Sequence, residues 1–204
     1  TTLEGDPKYR RSVRALIVNT ADGAEVLYSG TSPKWLPLDG GAKRPVFSSG
    51  LAGFASMDPD LSPDGTKLVY GVNGTNMKLV DLAAATPAEV DLGVAGRSPR
   101  FSPNGATIAF NAGGKVTLMD VATKQTTELF NANDYFGSVD WFKDGLRLVA
   151  GTDQGIEVVT IGPPVVHTKL YDSFATLSVD LSPDERSIAW SVNGQPEIYV
   201  LTGF

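Results

Sequence analysis

Asp58 to Leu82 reads DPDLSPDGTKLVYGVNGTNMKLVDL, and its pattern returns down the chain in nearly fixed phase. Steps of forty residues from Leu61 meet Phe101, Trp141 and Leu181. The turn residues keep that step as Asp64-Gly65, Asn104-Gly105, Asp144-Gly145 and Asp184-Glu185. So do the apolar pairs Leu68/Tyr70, Ile108/Phe110, Leu148/Ala150 and Ile188/Trp190. Self-similarity at this period marks a propeller or a solenoid.

Within the unit, PDL is a short strand, SPDG a turn and TKLVYGV a second strand, so a hairpin is expected. NMKLVDL and AEVDLG add two more extended runs rich in Val and Leu. Four strands in about forty residues make one propeller blade. Helical solenoids are excluded because no window holds apolar residues at i, i+3, i+4 and i+7 beyond two turns. A leucine-rich repeat fails on its Leu and Asn spacing.

The remaining units follow from the same register. Arg97 to Tyr135, Phe136 to Ala175 and Ser178 to Phe204 each carry the hairpin. Ser12 to Gly53 is a degenerate copy with Asp22-Gly23 as its turn, and Pro37 weakens its third strand because proline cannot donate to a ladder. Gly162-Pro163-Pro164 sharply breaks the third strand of the Phe136 to Ala175 unit. The last unit ends at its third strand, EIYVLTGF, while TTLEGD at the N-terminus resembles TTELFN, the fourth strand at Thr126 to Asn131. The expectation is an all-β, single-domain propeller over residues 1–204, with five four-stranded antiparallel blades. Thr1 to Glu4 would supply the missing outer strand of the last blade, because an unpaired edge exposes backbone groups.

A chain of 204 residues with 42% apolar content can bury a core without disulfides or metals. Its net charge of −6 disfavours a nucleic-acid partner, which needs a basic face. With no cysteine there is neither a disulfide framework nor a thiolate metal site. No apolar run is long enough to span a bilayer, so membrane insertion is not expected. TTLEGDPKYRR lacks the apolar centre of a signal peptide, which fits a mature secreted chain or a cytoplasmic one.

LSPDGTKLVY, FSPNGATIAF and LSPDERSIAW resemble the blade repeat of TolB-like propellers, and LPLDGG resembles a turn between their outer strands. The resemblance covers almost the whole chain. It implies a propeller and an extracytoplasmic bacterial setting, hence a periplasmic or secreted location. TolB rings are expected to hold six blades, against five counted here. Propellers of this kind serve as periplasmic scaffolds, as gating domains of oligopeptidases and as lyases, so the resemblance leaves the function open.

Polar residues on the first, innermost strand of each blade are the first candidates for a site. These are Asp60, Arg100, Asp140 and Asp180, with Arg14 in the equivalent place of the first unit. They would form either a binding mouth of the channel or an inter-blade belt with Arg100 between two aspartates. Buried carboxylates are costly unless paired, which favours the belt. Asp140 and Asp180 are the one pair that could serve a hydrolytic or carbohydrate-active enzyme.

Other motifs read as structure. Asp58-x-Asp60-x-Ser62-x-Asp64 is no calcium loop, because Pro63 stands where the sharp glycine belongs and Val69 where the bidentate acid belongs. No metal or other cofactor is expected. His167, the one histidine, falls on an outer strand, and no G-x-S-x-G elbow accompanies it. Asn73-Gly74 suits a hairpin better than a glycosylation site. Trp141 and Trp190 hold apolar anchor positions, while Trp35 lies in the degenerate unit. Phe54, Tyr135 and Phe136 sit in connections between blades, where aromatic side chains can anchor a protein or peptide partner. The expected function is a non-catalytic binding or scaffold propeller with such a partner, or with a small ligand at the channel mouth. The alternatives are a hydrolase or lyase, or a propeller domain cut from a larger protein such as an oligopeptidase.

Overall fold

The computed structural model describes residues 15–20, 23–28, 34–38, 42, 44–45, 56–72, 75–84, 86–132, 137–173 and 176–204. They form antiparallel sheets in strict chain order. The first contains β1 (Ala15–Thr20), β2 (Gly23–Tyr28), β3 (Lys34–Pro37) and β4 (Arg44–Pro45). The second contains β5 (Ser56–Leu61), β6 (Lys67–Val72), β7 (Asn76–Asp81) and β8 (Glu89–Ala95). The third contains β9 (Arg97–Phe101), β10 (Thr107–Ala112), β11 (Lys115–Asp120) and β12 (Thr126–Asn131). The fourth contains β13 (Val139–Trp141), β14 (Arg147–Thr152), β15 (Gly155–Thr160) and β16 (Val166–Tyr171). The last contains β17 (Thr176–Leu181), β18 (Ser187–Val192) and β19 (Ile198–Thr202). No helix of the described residues is long and apolar enough to cross a membrane.

The blade count departs from the expected five. Four sheets are four-stranded blades, and the last has three strands. In the last sheet β17 pairs with β18 and β18 with β19, and among the described residues no fourth strand pairs with β19. The fourth strand expected from Thr1 to Glu4 lies outside the described residues, as do Arg14 and the Asn73-Gly74 turn. In the first sheet Pro37 ends β3 opposite Glu25, so the strand stops at the residue that cannot extend the ladder.

First strands carry the contact between sheets, with β5 on β9, β9 on β13 and β13 on β17. Second strands are buried on both faces, which is why LVYG, IAFN and LVAG read as nearly continuous apolar runs. The apolar anchors fill equivalent places. Phe101 packs with Val69, Met77 and Leu92 of the preceding sheet, and Trp141 packs with Ala109, Val116 and Ala132. Leu181 lies against Val149 and Ile156 in the same way.

The inner strands are longer than the three residues expected, except β13, and two of them carry bulges at proline. Register shifts between Met57 and Asp60, around Pro59, and again in β9, around Ser98 and Pro99. A residue without an N–H suits a position where ladder pairing is interrupted. Ser98 takes a positive φ of 48° there.

The repeated turn is built by its own side chains. Asp64 Oδ1 accepts hydrogen bonds from Ser62 Oγ at 2.6 Å, Thr66 N at 3.0 Å and Thr66 Oγ1 at 2.8 Å. Asn104 plays the same part with Ser102 Oγ and Ala106 N, and Asp184 with Ser182 Oγ and Arg186 N. Gly65 completes the first turn at a φ of +70°, a conformation that costs glycine little. In the fourth sheet Phe142 replaces the serine. There Arg147 Nε donates to Asp144 Oδ2 at 2.7 Å, and the guanidinium lies 4.3 Å from the Phe142 ring centre.

The Ser62 hydroxyl, followed by the Thr66 amide and hydroxyl, lowers the Asp64 carboxyl from 3.8 to about 2. The Lys78 ammonium, then the Gly93 amide and the Asn76 side chain, lower Asp91 likewise to about 2. A carboxyl depressed in the folded state stabilises it above the unfolded pKa, and that contribution is lost as pH falls through the folded value. Stability is therefore expected to drop between about pH 4 and pH 2. Asp64→Asn should keep the turn at neutral pH, as Asn104 does, and should shallow that drop in thermal unfolding scans. An equal drop in wild type and variant would assign the acid sensitivity elsewhere.

Candidate functional site

The inner-strand residues fall into a repeated geometry that joins each blade to the next. Asp60 Oδ2 accepts the backbone N–H of Phe101 at 2.8 Å. Asp140 Oδ2 accepts that of Leu181 at 2.9 Å, and its Oδ1 accepts the N–H of Trp141 at 2.9 Å. Between them, Trp141 Nε1 donates to the carbonyl of Arg100 at 3.1 Å. Each of these three links spans 41 residues, one repeat plus one position. Ser138 adds a further link that the sequence reading missed. Its hydroxyl accepts Val179 N–H at 2.8 Å and donates to the Val179 carbonyl at 3.3 Å, fully buried. The signal that could have found it is that same offset of 41.

Asp60 and Asp140 engage backbone donors of the next blade. Arg100 pairs with Ala109, which pairs with Leu118, so all three share the face turned to the fourth sheet. It is only 3% exposed. Its Nη1 donates to Pro99 O at 2.8 Å, and its Nε is buried with no hydrogen-bond partner. Asp180, the last in the series, is exposed, and Arg14 lies outside the described residues.

Phe54, Tyr135 and Phe136 also lie outside the described residues, so no geometry bears on them. Trp190 is buried, stacking on Tyr199 at 5.6 Å and meeting Tyr171 at 5.2 Å between ring centres. His167 lies on the outermost strand of its sheet. Its Nδ1 donates to Glu157 Oε2 across 2.9 Å, and Phe130 of the preceding blade meets the ring edge to face at 4.7 Å. Among the described residues no three His, Asp or Glu side chains gather to hold a metal ion.

No protein-family model and no curated protein matches the chain. Solved structures match it in fold. A TolB-named protein of Agrobacterium tumefaciens aligns with a TM-score of 0.69 at 15% identity, over 89% of this chain and 74% of that one. An auxiliary nutrient binding protein from Bacteroides thetaiotaomicron gives 0.64 at 14%, over 88% of this chain and 51% of that one. TolB from Acinetobacter baumannii gives 0.60 at 21% identity, over 93% of this chain and 50% of that one. This chain therefore spans about half the length of the last two. At these identities the likeness is one of fold, and at the level of the blade the chain is built from TolB-like propeller repeats.

Proposed function

We propose that the chain is a non-catalytic binding or scaffold propeller, one domain over residues 1–204, holding a protein or peptide partner on the loops of one face. The observation that carries this reading is the occupation of Asp140. A catalytic acid or base needs a carboxyl oxygen aimed at substrate. Here Oδ1 and Oδ2 each accept a backbone N–H, from Trp141 and Leu181, and the group acts as a joint between blades. The only carboxylate pair nominated for hydrolysis thus has a structural task in one of its members. The fold shared with a nutrient binding protein adds support for binding, and the TolB-like repeats for a periplasmic or secreted setting.

Phe54, Tyr135 and Phe136 are the residues nominated for the contact. The test is capture of a partner from periplasmic or secreted extract by the wild-type chain and by Tyr135→Ala combined with Phe136→Ala. Loss of a wild-type-specific partner with an unchanged melting temperature is expected. Equal capture by both proteins would overturn the assignment to this face.

A further inference from the structure

We propose that β19 is a docking edge for a second copy of this chain, the two strands pairing antiparallel about a twofold axis so that their last sheets join. This surface is separate from the loop face and does not depend on it. The last sheet has the order β17-β18-β19, and among the described residues no strand pairs with the outer side of β19. Its side chains are correspondingly open: Ile198 is 74% and Val200 60% exposed, and Tyr199 and Phe204 are exposed as well. Leu79, Leu118 and Val158, which hold the place of Val200 in the preceding third strands, are half-buried. An apolar edge strand invites pairing with another chain, and native sheets guard against this with charge or proline. The fourth strands here follow that rule, with Arg44 and Pro45 in β4, Glu89 and Asp91 in β8, Glu128 in β12 and Lys169 in β16. β19, Ile-Tyr-Val-Leu-Thr, has neither.

The phase of the ladder sets which groups this edge offers. Gly203 N donates to Arg186 O at 3.1 Å, one step beyond the Ser187–Thr202 pair. Bonded and unbonded pairs alternate in an antiparallel ladder, so Tyr199 and Leu201 use their N–H and C=O groups on β18. Those of Ile198, Val200 and Thr202 point outward. A second β19 centred on Val200 meets all of them in register, with Val200 opposite its own counterpart and Ile198 opposite the second copy's Thr202. Every residue on that face is β-branched, a class suited to cross-strand contact, and on the other face Tyr199 lies opposite Leu201. Glu197, the nearest charge, falls opposite Gly203, so no carboxylate faces another. The strand is thus complementary to itself, which is what a twofold interface requires.

The test is sedimentation equilibrium of the full chain. A contact between two strand edges is small, so a dissociation constant on the order of 10 μM is expected, with the mass of a dimer and nothing larger at saturation. Val200→Lys sets two ammonium groups face to face at the centre and should weaken association at least about tenfold, and Val200→Glu should do the same. Mixed in equal amounts, those two variants should associate again, because opposite charges then meet. Val200→Pro keeps an apolar side chain and removes the outward N–H while sparing the ladder to β18, so it too should weaken association about tenfold. In dilute solution, where the wild type is monomeric, the Lys and Glu variants should melt within about 2 °C of it, since Val200 is exposed.

The inference is overturned if the wild type stays monomeric up to about 300 μM, well above that constant. It is overturned also if association runs on past the dimer, because an open series is not a twofold contact. Dimers indifferent to the substitutions at Val200 would place the interface elsewhere, and a Lys–Glu mixture that associates no better than its parts would break the register. A clearly lower melting temperature, or failure to fold, for both Val200→Lys and Val200→Glu in dilute solution would mean that the edge is covered within one chain, with Thr1 to Glu4 as the nominated segment, and would end the proposal. Should Val200→Pro fail to fold, the Lys and Glu variants decide the matter alone.

Discussion

Trp141→Ala is expected to lower the free energy of unfolding by about 3–5 kcal/mol in a urea titration. The indole is 9% exposed and fills the space between the third and fourth sheets, against Ala109, Val116, Ala132 and Val159. Its removal leaves a cavity that β-sheets on both sides cannot collapse into without breaking their ladders. It also removes the Nε1–H bond to the Arg100 carbonyl, so a buried acceptor loses its partner. His167→Ala provides the contrast. That side chain is on an outer strand, and the pair it forms with Glu157 is half open to water on the histidine side. A loss of about 1 kcal/mol is expected for a single hydrogen bond whose histidine side is open to water. Equal losses for the two variants would mean that Trp141 is not wedged between the blades.

Asp140→Ala should have the next largest effect, about 2–4 kcal/mol, measured the same way. The substitution withdraws the acceptor for the N–H groups of Leu181 and Trp141 together. Hydrogen bonds to a charged group contribute more than neutral ones, and a donor left unmet in a packed seam adds its desolvation cost. Asp140→Asn keeps one carbonyl oxygen and should lose roughly half as much. Asp60→Ala should weaken the seam between the second and third sheets in the same way, through Phe101. A value for Asp140→Ala within about 0.5 kcal/mol of wild type, the range of ordinary surface changes, would remove the carboxylate from the joint.

Much of this architecture was legible because strands and turns are written in residue types. The Ser-x-Asp-Gly turn shows itself through side chains that bond their own backbone, and Phe101 and Trp141 show themselves as apolar residues in fixed phase. Two features were not legible. The charged series Asp60, Arg100, Asp140 suggested residues that neutralise one another, since complementary charge is visible in a sequence. The structure shows the carboxylates of Asp60 and Asp140 bonded to the backbone N–H of Phe101 and Leu181, which that series does not suggest. Every non-proline residue carries that donor, so the partner leaves no trace in composition. Ser138 escaped notice for the same reason. The number of complete blades was the other feature, because a repeat records how many strands it encodes but not which distant segment completes a sheet.

The joints between blades also have a direction. In two of them, Asp60 to Phe101 and Asp140 to Leu181, the earlier blade holds the side-chain acceptor and the later one brings a backbone donor 41 residues on. During synthesis the acceptor is therefore already in place when the next repeat leaves the ribosome. The separation is short for a β-rich protein, so the loop to be closed at each step stays small however long the chain becomes. Assembly can then proceed as docking of one repeat at a time on the one before it, each addition completing the apolar seam its predecessor left open.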